Sequence, residues 1–393
     1  MYKVLTFNEI AQRGIGELQK AQFTVSDNEE NPNGIIIRSH ELPLERLSTN
    51  LLAIARAGAD VSTIPVESCS EKGIVVFNTP GATTNAVKEL VLAGLLLASR
   101  DIVGGIRWAQ SLANQHDVVK LIDKGNSRFA GPEVAGKNLG VIGLGGIGVQ
   151  VANACRTLGM RVLGYDPDIS VDAAWSLSRG VRKAQYLDSL LEECDYLTIH
   201  VPHNIETAGM FDADAFSKCK KGVRLLNFSH TDIVDNAALL EALDNGTVHR
   251  YVTDFPTPDL LGHDNIITMP HLGAITPESR ENCATMAATH LRDYLLYGNI
   301  KNSVNFSDCV IPYAGKKRVC IIHRNVIGIA GPIISLFSTR NINIDNMISR
   351  SSGEYGYTMI DVDCNSLDGI EAELQKIASI IKVRLLEINS GNK

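Results

Sequence analysis

The chain has no excess of positive charge, no paired cysteines and no long apolar run, and each absence narrows what it does. Its 37 Lys and Arg against 44 Asp and Glu leave a net charge of -7. That balance argues against nucleic acid or an anionic membrane as the main partner. Its eight cysteines stand singly, at 69, 155, 194, 219, 283, 309, 320 and 364, without the close pairing of a metal-ligand set. They read as reduced thiols of a cytoplasmic protein, and no metal centre is expected. No stretch reaches the length of a membrane span. The first residues, Met1-Tyr-Lys-Val-Leu-Thr-Phe, read as a strand rather than a secretory leader. What remains, with 45% hydrophobic and 21% charged residues over 393, is an ordinary globular composition sufficient for two or three domains.

The segment Leu139-Gly-Val-Ile-Gly-Leu-Gly-Gly-Ile-Gly148 is the strongest positive feature. It spells an apolar strand, a glycine turn and the start of a helix. Gly143 permits the tight turn, Gly145 lets backbone approach a pyrophosphate, and Gly148 lets the helix pack closely on the strand. The next strand, Arg161-Val-Leu-Gly-Tyr, ends at Asp166, whose carboxylate can accept both ribose hydroxyls of an adenosine. The same carboxylate repels a 2′-phosphate, so NAD is the expected cofactor.

Around this fingerprint, residues 136–275 repeat strand and helix, with strands expected at 140–142, 161–165, 196–200, 224–227, 249–253 and 266–269. This describes a doubly wound nucleotide domain. Residues 1–88 carry four further strands, at 3–7, 34–38, 52–56 and 74–77, and so a small parallel sheet. Thr84 to Ser111 reads as one long helix, apolar nearly all round and therefore buried against another domain or subunit. A helix from Thr276 to Tyr297 is expected to cross back to the first domain. Residues 302–317, with Pro312 and Gly315, read as a linker. The tail then runs strand 318–323, helix 331–339, strands 342–349 and 357–363, helix 367–380 and strand 383–388, a ferredoxin-like βαββαβ order.

Oxidising a hydroxyl carbon with NAD requires a base for the hydroxyl proton. His271 follows the last strand of the nucleotide domain, at the edge where open sheets place ligands. Asp259, or else Asp264, is the expected carboxylate to orient it. Asp254, ending another strand, is expected to face the nicotinamide.

Motifs along the whole chain carry a resemblance. They are Ala55-Arg-Ala-Gly, Asn78-Thr-Pro-Gly-Ala, Val87-Lys-Glu-Leu-Val, the glycine turn, Val171-Asp-Ala-Ala-Trp-Ser-Leu-Ser, His200-Val-Pro, Asp254-Phe-Pro and Pro270-His-Leu-Gly-Ala. The chain resembles the D-isomer-specific 2-hydroxyacid dehydrogenases, and within them the phosphoglycerate-oxidising branch with a short C-terminal ACT domain. The resemblance implies a Rossmann-type NAD domain (89–275) inserted in a flavodoxin-like substrate domain (1–88 and 276–305). A linker (306–317) and a ferredoxin-like ACT domain (318–393) follow. It implies oxidation of D-3-phosphoglycerate to 3-phosphohydroxypyruvate, the first step of serine biosynthesis.

By the same resemblance, His271, Asp259 and His230 form the catalytic set, and Arg38 and Arg56 bind the substrate phosphate. Ser39, Ala57, Gly58 and Asn78 complete that substrate contact. The cofactor falls to Gly143, Leu144, Gly145, Gly146, Ile147 and Gly148, with Tyr165, Asp166 and Pro167. It falls also to His200, Val201, Pro202 and Thr207, to Asn227, Phe228 and Ser229, and to Asp254, His271 and Gly273.

The departures from the family pattern cluster near this expected site. His230 stands where the family has a carboxylate-gripping arginine, followed by Thr231 and Asp232 at positions often small. Asp60 stands where glycine is usual, and Ser62 and Thr63 where asparagines are. Thr83, His203 and Ile275 also differ. A histidine lacks the planar fork and permanent charge of arginine. Three readings follow: a phosphoglycerate dehydrogenase, a dehydrogenase with another 2-hydroxy acid substrate, and a catalytically impaired NAD-binding sensor. The resemblance further implies a homodimer or homotetramer, paired through the helical region after Thr84. It implies an amino-acid effector such as serine at the tail, where Ile327 occupies a turn position that is often proline.

Overall fold

The computed structural model describes residues 1–312 and 316–387. It divides into two compact units, one of residues 1–82 with 277–393 and one of residues 83–276.

The first unit is built on five parallel strands, β1 (Lys3–Thr6), β2 (Thr24–Ser26), β3 (Gly34–Ile37), β4 (Ala53–Arg56) and β5 (Val75–Phe77), in the order β2-β1-β3-β4-β5. This is the flavodoxin-like order. The helix Pro277–Tyr297 returns to it, so Ala284, Ala287 and Leu291 share one core with Val4, Ile36 and Ala55. The helix Gln12–Lys20 packs so closely on this returning helix that a Cβ at Gly14 would lie 2.5 Å from the Ala284 carbonyl oxygen.

The second unit is a seven-stranded parallel sheet. Its strands are β6 (Asn138–Ile142), β7 (Arg161–Tyr165), β8 (Arg182–Lys183), β9 (Tyr196–Ile199), β10 (Val223–Asn227), β11 (Val248–Thr253) and β12 (Ile266–Thr268). They lie in the order β12-β11-β10-β9-β6-β7-β8. The winding reverses between β6 and β9, and the crevice beyond the carboxyl ends of such a pair is where doubly wound sheets bind ligands.

The tail forms an antiparallel sheet, β13 (Lys317–Arg324), β14 (Asn346–Ser352), β15 (Tyr355–Val362) and β16 (Ile380–Glu387), in the order β14-β15-β13-β16. This is a ferredoxin-like arrangement with alternating faces. Val319, Ile321 and Ile360 pack on the helix Ala330–Thr339, while Cys320, Ile322 and Met359 join the core of the first unit. Arg318 donates to the carbonyl of Tyr297 and Arg384 to that of Leu295, satisfying the open end of the returning helix.

Several expectations change. The long helix from Thr84 is two helices, Thr84–Ser99 and Ile102–Ser111, because Asp101 caps the second by accepting from the Gly104 amide and also pairs with Arg250. Only the first is buried. A further helix, Val118–Gly125, and the short strands β2 and β8 lie outside the expected elements. The tail helix expected over 367–380 contracts to Ile370–Leu374, starting after Gly369 in a left-handed conformation. The expected linker is packed over much of its length, since Phe306, Cys309 and Ile311 are buried and Ile300 bridges Cys309. Gly315 of that segment and Ile388 of the last expected strand lie outside the described residues. All eight cysteines are free, six of them buried. Among the described residues no helix is long and apolar enough to cross a membrane.

Candidate active site

The glycine turn at the end of β6 explains its own sequence. Gly143 adopts φ +89°, and a side chain there would meet the His200 backbone at 2.7 Å. A Cβ at Gly148 would strike the Gly143 carbonyl oxygen. Gly145 has open space where a side chain would project, and it precedes the helix Gly146–Thr157 without a side-chain cap. That leaves a glycine cradle against free helix-terminal amides, the form that accepts a pyrophosphate. Leu144 and Ile147 flank it, the former buried. Asp166 follows Tyr165 at the end of β7, with Oδ2 accepting from the Leu144 amide (2.7 Å) and Oδ1 from the Asp168 amide (2.9 Å). Exposed Pro167 continues the turn. The residues present therefore fit a dinucleotide.

Beyond β9, His200 hydrogen-bonds Thr198 at 2.9 Å, and burial pushes its pKa down to about 3, keeping the imidazole neutral. Val201 packs on the core, and Thr207 donates to the Pro202 carbonyl, closing the loop. Beyond β10, buried Asn227 donates to the His230 carbonyl (2.9 Å) and accepts from the Ser229 amide. Ser229 donates to the Ile199 carbonyl, and Phe228 fills the core beneath.

His271 lies in the loop after β12 with φ +45°, a conformation unfavourable for a residue with a side chain. Its amide bonds to the carbonyls of Asp254 and Met269, and its ring centroid is 4.8 Å from that of Phe255. The expected ion pair with Asp259 is not formed. Asp259 is exposed on the 3-10 turn Pro258–Leu260, and neither it nor exposed Asp264 pairs with His271. The carboxylate held beside this loop is Asp254, whose Oδ2 accepts from the Gly273 amide at 3.0 Å. Its Oδ1 is buried without a partner, and that burial raises its pKa, opposed by the Gly273 amide and by His271.

His230 stacks on His203 with ring centroids 4.4 Å apart and planes 14° off parallel. Its Nδ1 lies 3.7 Å from Asp232 Oδ2. Sequence reasoning marked both histidines as departures but could not pair them, since they follow different strands. It missed Phe255 as the support of His271, although Asp254-Phe-Pro was a visible motif.

The phosphate-binding residues of the expected site fall in the first unit. Arg38 and Arg56 extend from β3 and β4, and both guanidiniums act on the thiol of Cys283, whose pKa burial raises. Arg56 is half-buried with its Nε lacking a partner, and Asp60 Oδ2 stands 3.6 Å from its Nη2. Burial lowers the Arg56 pKa, opposed by Asp60. Ser62 anchors Asp60 through its hydroxyl (2.6 Å) and amide (3.0 Å), and the hydroxyl leads in lowering the carboxylate pKa. A Cβ at Gly58 would sit 2.5 Å from Arg56 Nη1, so glycine leaves room for the guanidinium. Ala57 bonds to Ile37, Asn78 donates to the Ala59 carbonyl, and the Ser39 amide bonds to Asn8. Cys283 drew no attention in the sequence because it stands far along the chain from both arginines.

Comparison with known proteins agrees with this geometry. The model of the D-isomer specific 2-hydroxyacid dehydrogenase NAD binding domain matches residues 92–273. The D-3-phosphoglycerate dehydrogenase of Escherichia coli K12 is 30% identical over 387 residues, 94% of this chain and 90% of that one. The protein of that name from Archaeoglobus fulgidus is 36% identical over 281 residues, 69% of this chain and 51% of that one. The chain thus spans about half the length of some curated relatives it matches. The NAD+-bound 3-phosphoglycerate dehydrogenase of Entamoeba histolytica shares the fold, with a TM-score of 0.59 at 24% identity over 77% of this chain and 98% of that one. With the glycine cradle, the reversed sheet and the β12 histidine in place, the chain belongs to the D-isomer specific 2-hydroxyacid dehydrogenase family and carries its NAD binding domain.

Proposed function

We propose that this chain is an NAD-dependent dehydrogenase that oxidises D-3-phosphoglycerate to 3-phosphohydroxypyruvate, opening serine biosynthesis in the cytoplasm. The observation that carries the reading is His271, held in a strained conformation at the carboxyl edge of the sheet that bears the glycine cradle.

NAD, when bound, supplies the acceptor for the hydride leaving the substrate's hydroxyl carbon. The amides at residues 143–148 would hold its pyrophosphate and the Asp166 carboxylate its ribose diol. His271 takes the hydroxyl proton, its ring supported by Phe255 and its loop by Asp254 through Gly273. Asp259 is left a solvent-side role. Arg38 and Arg56 take the phosphate, and His230 the carboxylate.

Residues 1–88 with 276–305 serve as the substrate domain and residues 318–393 as an ACT domain that binds an amino acid such as serine. Pairing of chains runs through the region after Thr84. The experiment is NADH production from 3-phosphoglycerate at alkaline pH, and turnover at the blank rate removes the reading. One observation favours a second: Asp60 already occupies Arg56, which suits a 2-hydroxy acid without a phosphate. A panel of 2-hydroxy acids decides between them.

A further inference from the structure

We propose that His203, His230 and Asp232 bind one divalent transition-metal ion, and that this ion anchors the substrate's carboxylate. The second half rests on the dehydrogenase reading above; the first does not.

His203 follows β9, and His230 and Asp232 follow the adjacent β10. Asp232 Oδ2 lies 3.8 Å from His203 Nε2 and 3.7 Å from His230 Nδ1, and the three donor atoms fall within 4.8 Å of one another. A tetrahedral zinc ion with bonds of about 2.0–2.2 Å needs donors about 3.4 Å apart. The carboxylate is already near that spacing from each imidazole. The two rings, stacked 14° off parallel, must unstack and bring their in-plane nitrogens to one point, and both lie at least partly open to solvent.

The backbone beneath them is fixed. The Asp232 carbonyl accepts from the Gly209 amide at 2.8 Å, and the His230 carbonyl accepts from buried Asn227. His230 Nδ1 accepts a 3.3 Å bond from the Asp232 amide, so this nitrogen carries its lone pair, and a metal ion takes the place of that amide. Among the described residues Asp232 pairs with no lysine or arginine. Two imidazoles and one carboxylate are the donor set of ions such as Zn²⁺, Co²⁺ and Fe²⁺, and three protein ligands leave a coordination position open. Neutral imidazoles, one carboxylate and a dication leave a net charge of +1. That charge gives a carboxylate a stronger anchor than His230 alone beside Asp232.

The test uses the tag-free full chain and the metal alone. Zn²⁺ uptake is measured by equilibrium dialysis, and Co²⁺ by its visible absorption. The expected result is one ion per chain, with affinity at least tenfold lower in His203→Ala, His230→Ala and Asp232→Ala and unchanged in the control His116→Ala. NAD titration of each variant checks that the fold is intact. Equal uptake by wild type and all three variants, or none by wild type at micromolar metal, overturns the site. Glycolate binding is then followed by calorimetry with and without Zn²⁺. At least tenfold tighter binding with the metal supports the carboxylate role, and equal binding overturns that role. Absence of turnover with 3-phosphoglycerate is a separate result, which overturns the dehydrogenase reading and leaves metal uptake to be judged by dialysis.

Discussion

Oδ2 of Asp60 stands 3.6 Å from Nη2 of Arg56, so a cation expected to hold a substrate phosphate already faces an anion of its own chain. A phosphate must displace that carboxylate. The Asp60 carboxylate is open to solvent and the pair is long, so the competition is modest. Asp60→Asn is expected to lower KM for 3-phosphoglycerate by about fivefold with kcat unchanged. Steady-state kinetics check this, and an unchanged or raised KM counts against a phosphate at Arg56.

His271 is held from Asp254 rather than Asp259. Asp254→Asn is expected to reduce kcat by about tenfold or more, while Asp259→Asn stays within about twofold. Equal effects from the two substitutions would contradict the arrangement described.

Asp254 also links activity to stability. Burial raises its folded-state pKa, so the folded protein holds the proton more tightly than the unfolded chain does. Stability from this group is present below the unfolded pKa of 3.8 and is lost as pH rises through the higher folded value. Asp254→Asn is therefore expected to be more stable than wild type at pH 7, with the gain vanishing toward pH 3.8. Urea unfolding across pH reads the difference.

Lys382 of β16 gives the opposite slope. Its Nζ donates to the Leu51 carbonyl at 2.8 Å, and burial lowers its pKa from 10.5 to about 8. Between those values the unfolded chain binds the extra proton, so stability from this group rises with pH. Lys382→Met is expected to raise Tm at pH 7 and to lose that advantage toward pH 10. Calorimetry of both proteins over this range supplies the check.

The parts of this architecture legible in the sequence are those with local causes. Gly143 and Gly148 announce the turn because the first takes φ +89° and the second abuts the first's carbonyl oxygen, and β3 shows an unbroken apolar run. The break at Asp101 was hidden because its pairing with Arg250 is a long-range contact. The two-residue strand β8 has too few residues for a period. Asp259 read as an orienting acid from its position before β12, but the 3-10 turn aims it at solvent. The His203–His230 stack depends on β9 and β10 being neighbours, which strand order alone decides.

Everything at this site follows from the amides at residues 143–148 and the carboxylate of Asp166 receiving a dinucleotide whose ribose bears a free 2′-hydroxyl. Isothermal titration of the folded chain with NAD and with NADP tests this most directly. The expected result is saturable NAD binding at one site per chain, at least about tenfold tighter than NADP, with the gap narrowed in Asp166→Ala. No uptake of either nucleotide, or equal affinity for both, would contradict it.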